Sequence, residues 1–230
     1  MVAALAVVVG ACTSPSDAIV AMGCGTSRTF AYATRDGVDP ASTSLDVHLP
    51  PAGDDGHCDH RPIVVWVHGG GWTEGDKGEY MDDKVAFFAA RGDVLVSVNY
   101  RLTDPTLEPP SPQHPAHDED VAAALAWVRR HAAEIGGDPD RMAVLGHSAG
   151  GGIAAAVATD PVYLGAHGMD LDDLTCVASM DGEGYDVVQG ASAYPEEVRP
   201  VYLHAFGTDP EVWAQASPIR HVAPDTGIAP

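Results

Sequence analysis

Basic residues are scarce in this chain. Twelve lysines and arginines stand against 33 aspartates and glutamates among 230 residues, a formal net charge of −21. Such a surface repels phosphate backbones and anionic lipid headgroups, so it argues against electrostatic binding to nucleic acid or to a membrane surface. It favours solubility and identifies no substrate. Apolar runs are short: the one from Ala3 to Val9 cannot span a bilayer as a helix. There is no internal repeat, and 230 residues with 45% hydrophobic content suit one globular domain. Cysteine is sparse, at four. Neither His57-Cys58-Asp59-His60 nor the stretch from His114 to Asp120 has the ligand spacing of a zinc site. Both read as loop residues, and no metal or cofactor is expected.

The N-terminus stands apart. Ala3 to Val9 resembles a signal-peptide core, although no lysine or arginine precedes it. Val9-Gly10-Ala11-Cys12 looks like a lipobox, with Cys12 as the lipidated residue. Residues 1–12 are therefore expected to be a signal segment and 13–27 a tether. The expected setting is export or a cell-envelope lipoprotein, with a cytoplasmic protein as the alternative. Contact with a membrane would run only through a lipid on Cys12. Export permits disulfides. With Cys12 lipidated, Cys24 and Cys58 are the favoured pair, although spacing alone does not fix connectivity. Cys176 opens an apolar run and is expected to be a buried free thiol.

From residue 28 onward, strand and helix signals alternate. Thr29–Thr34 and Leu45–Leu49 read as an antiparallel edge pair, the second alternating apolar and polar residues. Apolar strand signals follow at 63–67, 94–98, 142–145 and 176–180. Between them, Met81, Val85 and Phe88 share one helical face, and Val121, Leu125 and Val128 share another. The second helix has Asp118, Glu119 and Asp120 at its start and Arg129, Arg130 and His131 near its end, matching its dipole. Gly136 or Gly137 is expected to end it. This alternation predicts an α/β fold, a mostly parallel sheet with helices on both faces. Thr103–Pro115 and Gly182–Ser217 read as irregular. Asn99, Tyr100 and Arg101 are expected to hold loops beneath the site, with Arg101 paired to a carboxylate.

The chemistry concentrates at two strand ends. Met142-Ala143-Val144-Leu145 runs into Gly146-His147-Ser148-Ala149-Gly150, and an Ala-rich helix follows from Gly151. A serine on such a strand-to-helix turn stands its hydroxyl clear of the backbone, and side chains at the flanking glycines would collide with neighbouring elements. Ile63-Val64-Val65-Trp66-Val67 runs into His68-Gly69-Gly70-Gly71-Trp72. Glycines there let backbone N–H groups face a cavity. The expected donors to an oxyanion are Gly70, Gly71 and Ala149, the last helped by the helix start.

These motifs, with Asn99-Tyr100-Arg101 and Gly136-Gly137-Asp138-Pro139-Asp140-Arg141 between them, resemble the α/β-hydrolase carboxylesterases and lipases that carry an HGGG motif. The likeness is strongest to bacterial feruloyl-esterase-like and kynurenine-formamidase-like branches. It covers residues 28–230 and implies a serine hydrolase that cleaves small carboxylic esters through an acyl-enzyme on Ser148. In that family the triad acid and histidine follow the serine, each after a later strand. The resemblance therefore implies that 28–230 is a partial domain, C-terminally truncated, with the final strands missing. Asp181, after the run from Cys176 to Met180, is the candidate acid within the chain. Asp209 is better explained as a helix N-cap ahead of Pro210, and His221 follows it too closely for the intervening helix and strand. The competing expectation is a non-catalytic, hydrolase-like binding protein without acid and base.

Overall fold

A computed structural model of the protein describes residues 19–222. Six strands form one sheet: β1 (Ser27–Ala31), β2 (Ser44–His48), β3 (Arg61–Val67), β4 (Val94–Val98), β5 (Gly137–His147) and β6 (Cys176–Met180). Their spatial order is β1-β2-β4-β3-β5-β6. β1 pairs with β2, and β2 with β4, in antiparallel fashion, while β4, β3, β5 and β6 are mutually parallel. The expected edge pair and parallel centre are both present, with β1 beginning two residues earlier than its alternation indicated.

The strands interleave with α1 (Asp82–Arg91), α2 (Ala116–Arg130), α3 (Ala149–Thr159) and α4 (Pro161–Gly165). Period-2 alternation divides each central strand between two layers. Ile63, Val65 and Val67 enter the main core with Val94, Val96, Val98, Met142 and Val144, under α2 and α3. Val64, Trp66 and Leu95 face the other way, onto Met81, Val85 and Phe88 at α1. Val121, Leu125 and Val128 of α2 are fully buried, as their spacing required. α2 stops at Arg130, capped by His131, five residues before the first expected glycine. Gly136, at φ 69°, instead makes the turn into β5.

The loops beneath the site are tied by polar side chains. Asn99 Oδ1 accepts from the Lys77 N–H at 2.6 Å, and its Nδ2 donates to Asp76 Oδ2 at 2.8 Å and to the Ala41 carbonyl. Arg101 forks onto Asp120 through Nε at 2.6 Å and Nη2 at 2.9 Å, and its backbone N–H adds a third bond at 3.0 Å. Arg35 reaches the same carboxylate at 3.0 Å. Asp120 is wholly buried, so the two guanidinium groups and the amide replace its water.

Two expectations need correction. Cys176 is free but exposed. It starts β6, which lies at one edge of the described sheet, and that position leaves its thiol uncovered. The stretch 182–217 is not irregular: it carries α5 (Val187–Ala193), α6 (Arg199–Phe206) and α7 (Pro210–Gln215). Helices of six to eight residues between prolines and glycines give too few turns for a period to show. Asp209 caps α7 as expected, accepting from the Glu211 N–H at 2.9 Å with Pro210 at the first helical position. The Cys24–Cys58 disulfide is formed and joins the N-terminal arm to the loop before β3. Residues 1–12 and the proposed lipid site Cys12 lie outside the described residues, as does the start of the tether. Among the described residues no helix is long and apolar enough to cross a membrane.

One buried imidazole sets an acid limit on stability. His117 is 1% exposed. Thr103 Oγ1 donates to the Pro112 carbonyl, so it accepts from His117 Nε2 at 3.0 Å. That leaves His117 Nδ1 buried without a partner, and a proton there would be an unpaired buried charge. Burial, then His114 and Arg101, push its pKa down from 6.5 to about 3. The unfolded chain takes up a proton below pH 6.5 that the folded chain refuses until about pH 3. Stability from this group is complete above that window and falls through it, by up to about 1.4 kcal/mol per pH unit. Melting temperatures between about pH 8 and 4 should fall more steeply for the native protein than for His117→Gln, which keeps a donor toward Thr103. Equal slopes would remove His117 from the account.

Candidate active site

Ser148 sits between β5 and α3 at φ 52°, ψ −122°. A non-glycine residue there costs about 1–3 kcal/mol and persists only when its surroundings fix it. They do so through the backbone. The Ser148 N–H donates to the Met180 carbonyl at the end of β6, at 3.1 Å. Its carbonyl accepts from Gly151 at 2.8 Å, Glu183 at 3.0 Å and Gly152 at 3.2 Å. The flanking glycines are required by contact. A Cβ on Gly146 would overlap the Gly150 carbonyl in α3, and one on Gly150 would overlap the Val67 and His68 carbonyls at the end of β3. The side chain of Ser148 is half-buried.

The loop after β3 lies across from it. A Cβ on Gly69 would stand 3.0 Å from Ser148 Cβ, so the glycine loop and the serine are in direct apposition. Gly69, Gly70, His68, His147, Glu74 and Ser148 all line one cavity of 640 Å³. Gly70, at φ 116°, cannot bear a side chain, because a Cβ would overlap the Glu74 carbonyl that folds back over it. The N–H groups of Gly70, Gly71 and Ala149 donate no hydrogen bond to any described residue. Gly70 alone of the three borders the cavity. Gly71 lies against Val201 of α6, and Ala149 is buried as the first residue of α3.

His68 was not legible as a site residue. Its Nδ1 donates to the Gly69 carbonyl at 2.7 Å, its ring stacks on Tyr100 with centroids 4.5 Å apart, and Tyr100 Oη donates to its carbonyl at 3.1 Å. Burial pushes its pKa down, more than the Gly69 bond, Asp76 and Glu79 push it up. A neutral imidazole with its proton on Nδ1 follows. The motif's histidine was the available signal, but nothing in its spacing shows what its ring touches.

Other expected residues do not gather at the serine. Asp181 follows β6 at φ 48°, exposed, and does not border the cavity. His221 Nε2 donates to the Gln215 carbonyl, and its Nδ1 lies 3.7 Å from Asp160. His114 is bonded to Asp118 and His48 to Ser27. The cavity that Ser148 borders contains two histidines, His68 and His147. Among the described residues no side chain is hydrogen-bonded to the Ser148 hydroxyl.

Of the five aromatics in 182–217, Phe206 and Tyr202 are core residues. Tyr202 is 2% exposed, meets Trp72 edge-on at 5.5 Å, and its Oη donates to Glu183 Oε2 at 2.8 Å. Trp213 and Tyr194 are partly buried against the same core, and Tyr185 is 40% exposed.

Solved esterases share this fold, which is that of the α/β-hydrolase class. EstE1, a thermostable carboxylesterase cloned from a metagenomic library, superposes with a TM-score of 0.64 at 26% identity, covering 87% of this chain and 66% of that one. Esterase 2 of Thermogutta terrifontis, in its propionate-bound form, gives 0.60 at 25% identity, with 85% and 66% covered. The chain belongs to the BD-FAE family of α/β-hydrolases, which it matches over residues 45–170. Over 102 residues it is 48% identical to the carboxylesterase NlhH of Mycobacterium tuberculosis, covering 44% of this chain and 30% of that protein. Over 173 residues it is 31% identical to the probable carboxylic ester hydrolase LipM of the same organism, covering 71% and 38%. The chain thus spans about a third of the length of these curated relatives.

Proposed function

We propose that the protein acts on small carboxylic esters as a serine hydrolase. Ser148 Oγ attacks the ester carbonyl, the alcohol leaves, and an acyl-enzyme remains for water to cleave. The observation that carries this reading is the strained Ser148 turn set directly against the glycine loop on a shared cavity. The esterase relatives support the same chemistry. Gly70 is the best-supported oxyanion donor. Its N–H belongs to the planar peptide whose carbonyl His68 holds, so it points away from the imidazole. The free N–H groups of Gly71 and Ala149 complete the proposed set, and each donor in such a hole is typically worth about 10²–10³ in turnover.

One observation favours a second reading, a hydrolase-like binding protein: no base is bonded to Ser148 among the described residues. A fluorophosphonate probe separates the two, because stoichiometric labelling needs an activated nucleophile. The full chain should take up one probe per molecule, with the adduct mapped to Ser148 and lost in Ser148→Ala. A chain that folds and stays unlabelled would leave the binding protein as the surviving reading.

A further inference from the structure

We infer that Glu183 is a positioning residue of this site: held by the Tyr202 hydroxyl, its main-chain N–H fixes the Ser148–Ala149 peptide plane and so aims the Ala149 N–H at the oxyanion. The inference rests on the reading of Ser148 as a nucleophile with Ala149 among its oxyanion donors. In a trans peptide the carbonyl and the following N–H share one plane and point in opposite directions. Whatever holds the Ser148 carbonyl therefore sets the direction of the Ala149 N–H. Three amides hold it. Those of Gly151 and Gly152 belong to α3 itself and move with it. Among the described residues, the Glu183 N–H at 3.0 Å is the one donor to that carbonyl from elsewhere in the chain, the loop after β6.

That loop is shaped to deliver the amide. Its backbone turns left-handed on both sides of Glu183, at Asp181 (φ 48°) and at Gly184 (φ 89°). The Glu183 carbonyl packs onto α3 at Gly152, where a Cβ would overlap it. Gly184 lies against the Trp72 ring, since a Cβ there would come within 2.9 Å of it. Trp72 follows Gly71, so the loop touches both segments that carry the proposed oxyanion donors. The Glu183 side chain is exposed, yet its Oε2 accepts from Tyr202 Oη at 2.8 Å. Tyr202 is a fixed donor. Its buried ring meets Trp72 and Tyr194 edge-on at 5.5 and 5.4 Å, and it fills the space that Gly190 of α5 leaves. Burial, then the Glu183 carboxylate, push its pKa up, so the phenol keeps its proton. The buried hydroxyl on α6 thus holds the carboxylate, and the carboxylate holds the loop that carries the amide.

The test measures how far the reaction uses the oxyanion donors. Diethyl p-nitrophenyl phosphate and its thiono analogue differ only in the atom that faces those donors, and sulfur accepts hydrogen bonds weakly. With each, the Ser148 Oγ–P bond forms as the P–O bond to p-nitrophenolate breaks, and the hydroxyl proton passes to solvent. Release of nitrophenolate gives the rate, and intact mass gives the adduct. The oxo-to-thiono rate ratio should fall about tenfold in Glu183→Ala and in Tyr202→Phe, a part of the about 10²–10³ that a whole donor is worth. Glu183→Gln keeps an oxygen for Tyr202 and should restore the native ratio. The double variant should fall no further than either single one, because the two residues act through one bond. A loss of folded protein lowers both rates alike and leaves the ratio unchanged, so a merely structural role cannot imitate the result, and either folded variant suffices. Adducts that form at the native ratio in Glu183→Ala and Tyr202→Phe would overturn the positioning role alone. No adduct on the native protein with either compound would overturn the nucleophile reading, and this inference with it.

Discussion

Asp120→Ala is expected to lower the free energy of unfolding by about 3–5 kcal/mol, the range for removing one partner of a buried ionic cluster. The carboxylate is fully buried and takes bonds from the Arg101 fork, the Arg101 amide and Arg35. Without it the Arg101 guanidinium, itself largely covered, keeps only the half-exposed Glu119 at 3.8 Å as a compensating charge. The loss should also reach the site. Arg101 follows Tyr100, the residue that stacks on His68 and holds its carbonyl. Urea unfolding followed by circular dichroism measures the change, and a midpoint within experimental scatter of the native value would refute it. Asp120→Asn, which keeps an acceptor but loses the charge, should fall between the two.

The other large effect is expected from Gly150→Ala. The added methyl group would meet two main-chain carbonyl oxygens, those of Val67 and His68. Neither can rotate aside as a side chain would, so α3 must shift off β3. Overpacking of this kind costs about 1–3 kcal/mol. The greater penalty falls on function: a displacement of about 1 Å at a reacting group costs on the order of 10² in rate. Fluorophosphonate labelling of Ser148 should slow at least that much while the variant remains folded. Gly165→Ala is the matched control, since a Cβ there meets nothing within 4 Å. Equal labelling rates in the two variants would show that the approach of α3 to β3 does not govern the nucleophile.

The central strands were legible because burial on both faces demands continuous apolar runs, and 63–67 and 94–98 are such runs. β6 shows where that rule fails. Its sequence also reads as an apolar run, yet its position at an edge of the described sheet leaves Cys176 and Met180 exposed. Edge or centre is a property of topology, which composition does not carry. Both motifs sit at strand ends as their flanking residues required, and the two collisions at Gly146 and Gly150 are the physical content of the glycine spacing. The His68 bond to Gly69, the Val201 contact with Gly71 and the partner of Arg101 were not legible. Each joins residues whose side-chain directions depend on the finished packing. Asp120, 19 positions from Arg101, read only as one of three acids near the start of α2.

The Ser148 carbonyl gathers three amides, and its own N–H is spoken for by Met180, while no hydrogen bond from the described residues holds the side chain. The shape of the bend is therefore written entirely in main-chain atoms, and it tolerates any short side chain at its apex. Residue 148 is a socket whose occupant can be exchanged without disturbing the frame around it. If Ser148 is the nucleophile proposed above, the Ser148→Ala protein would keep its pocket and lose its chemistry, which makes it the natural bait for capturing an unprocessed substrate.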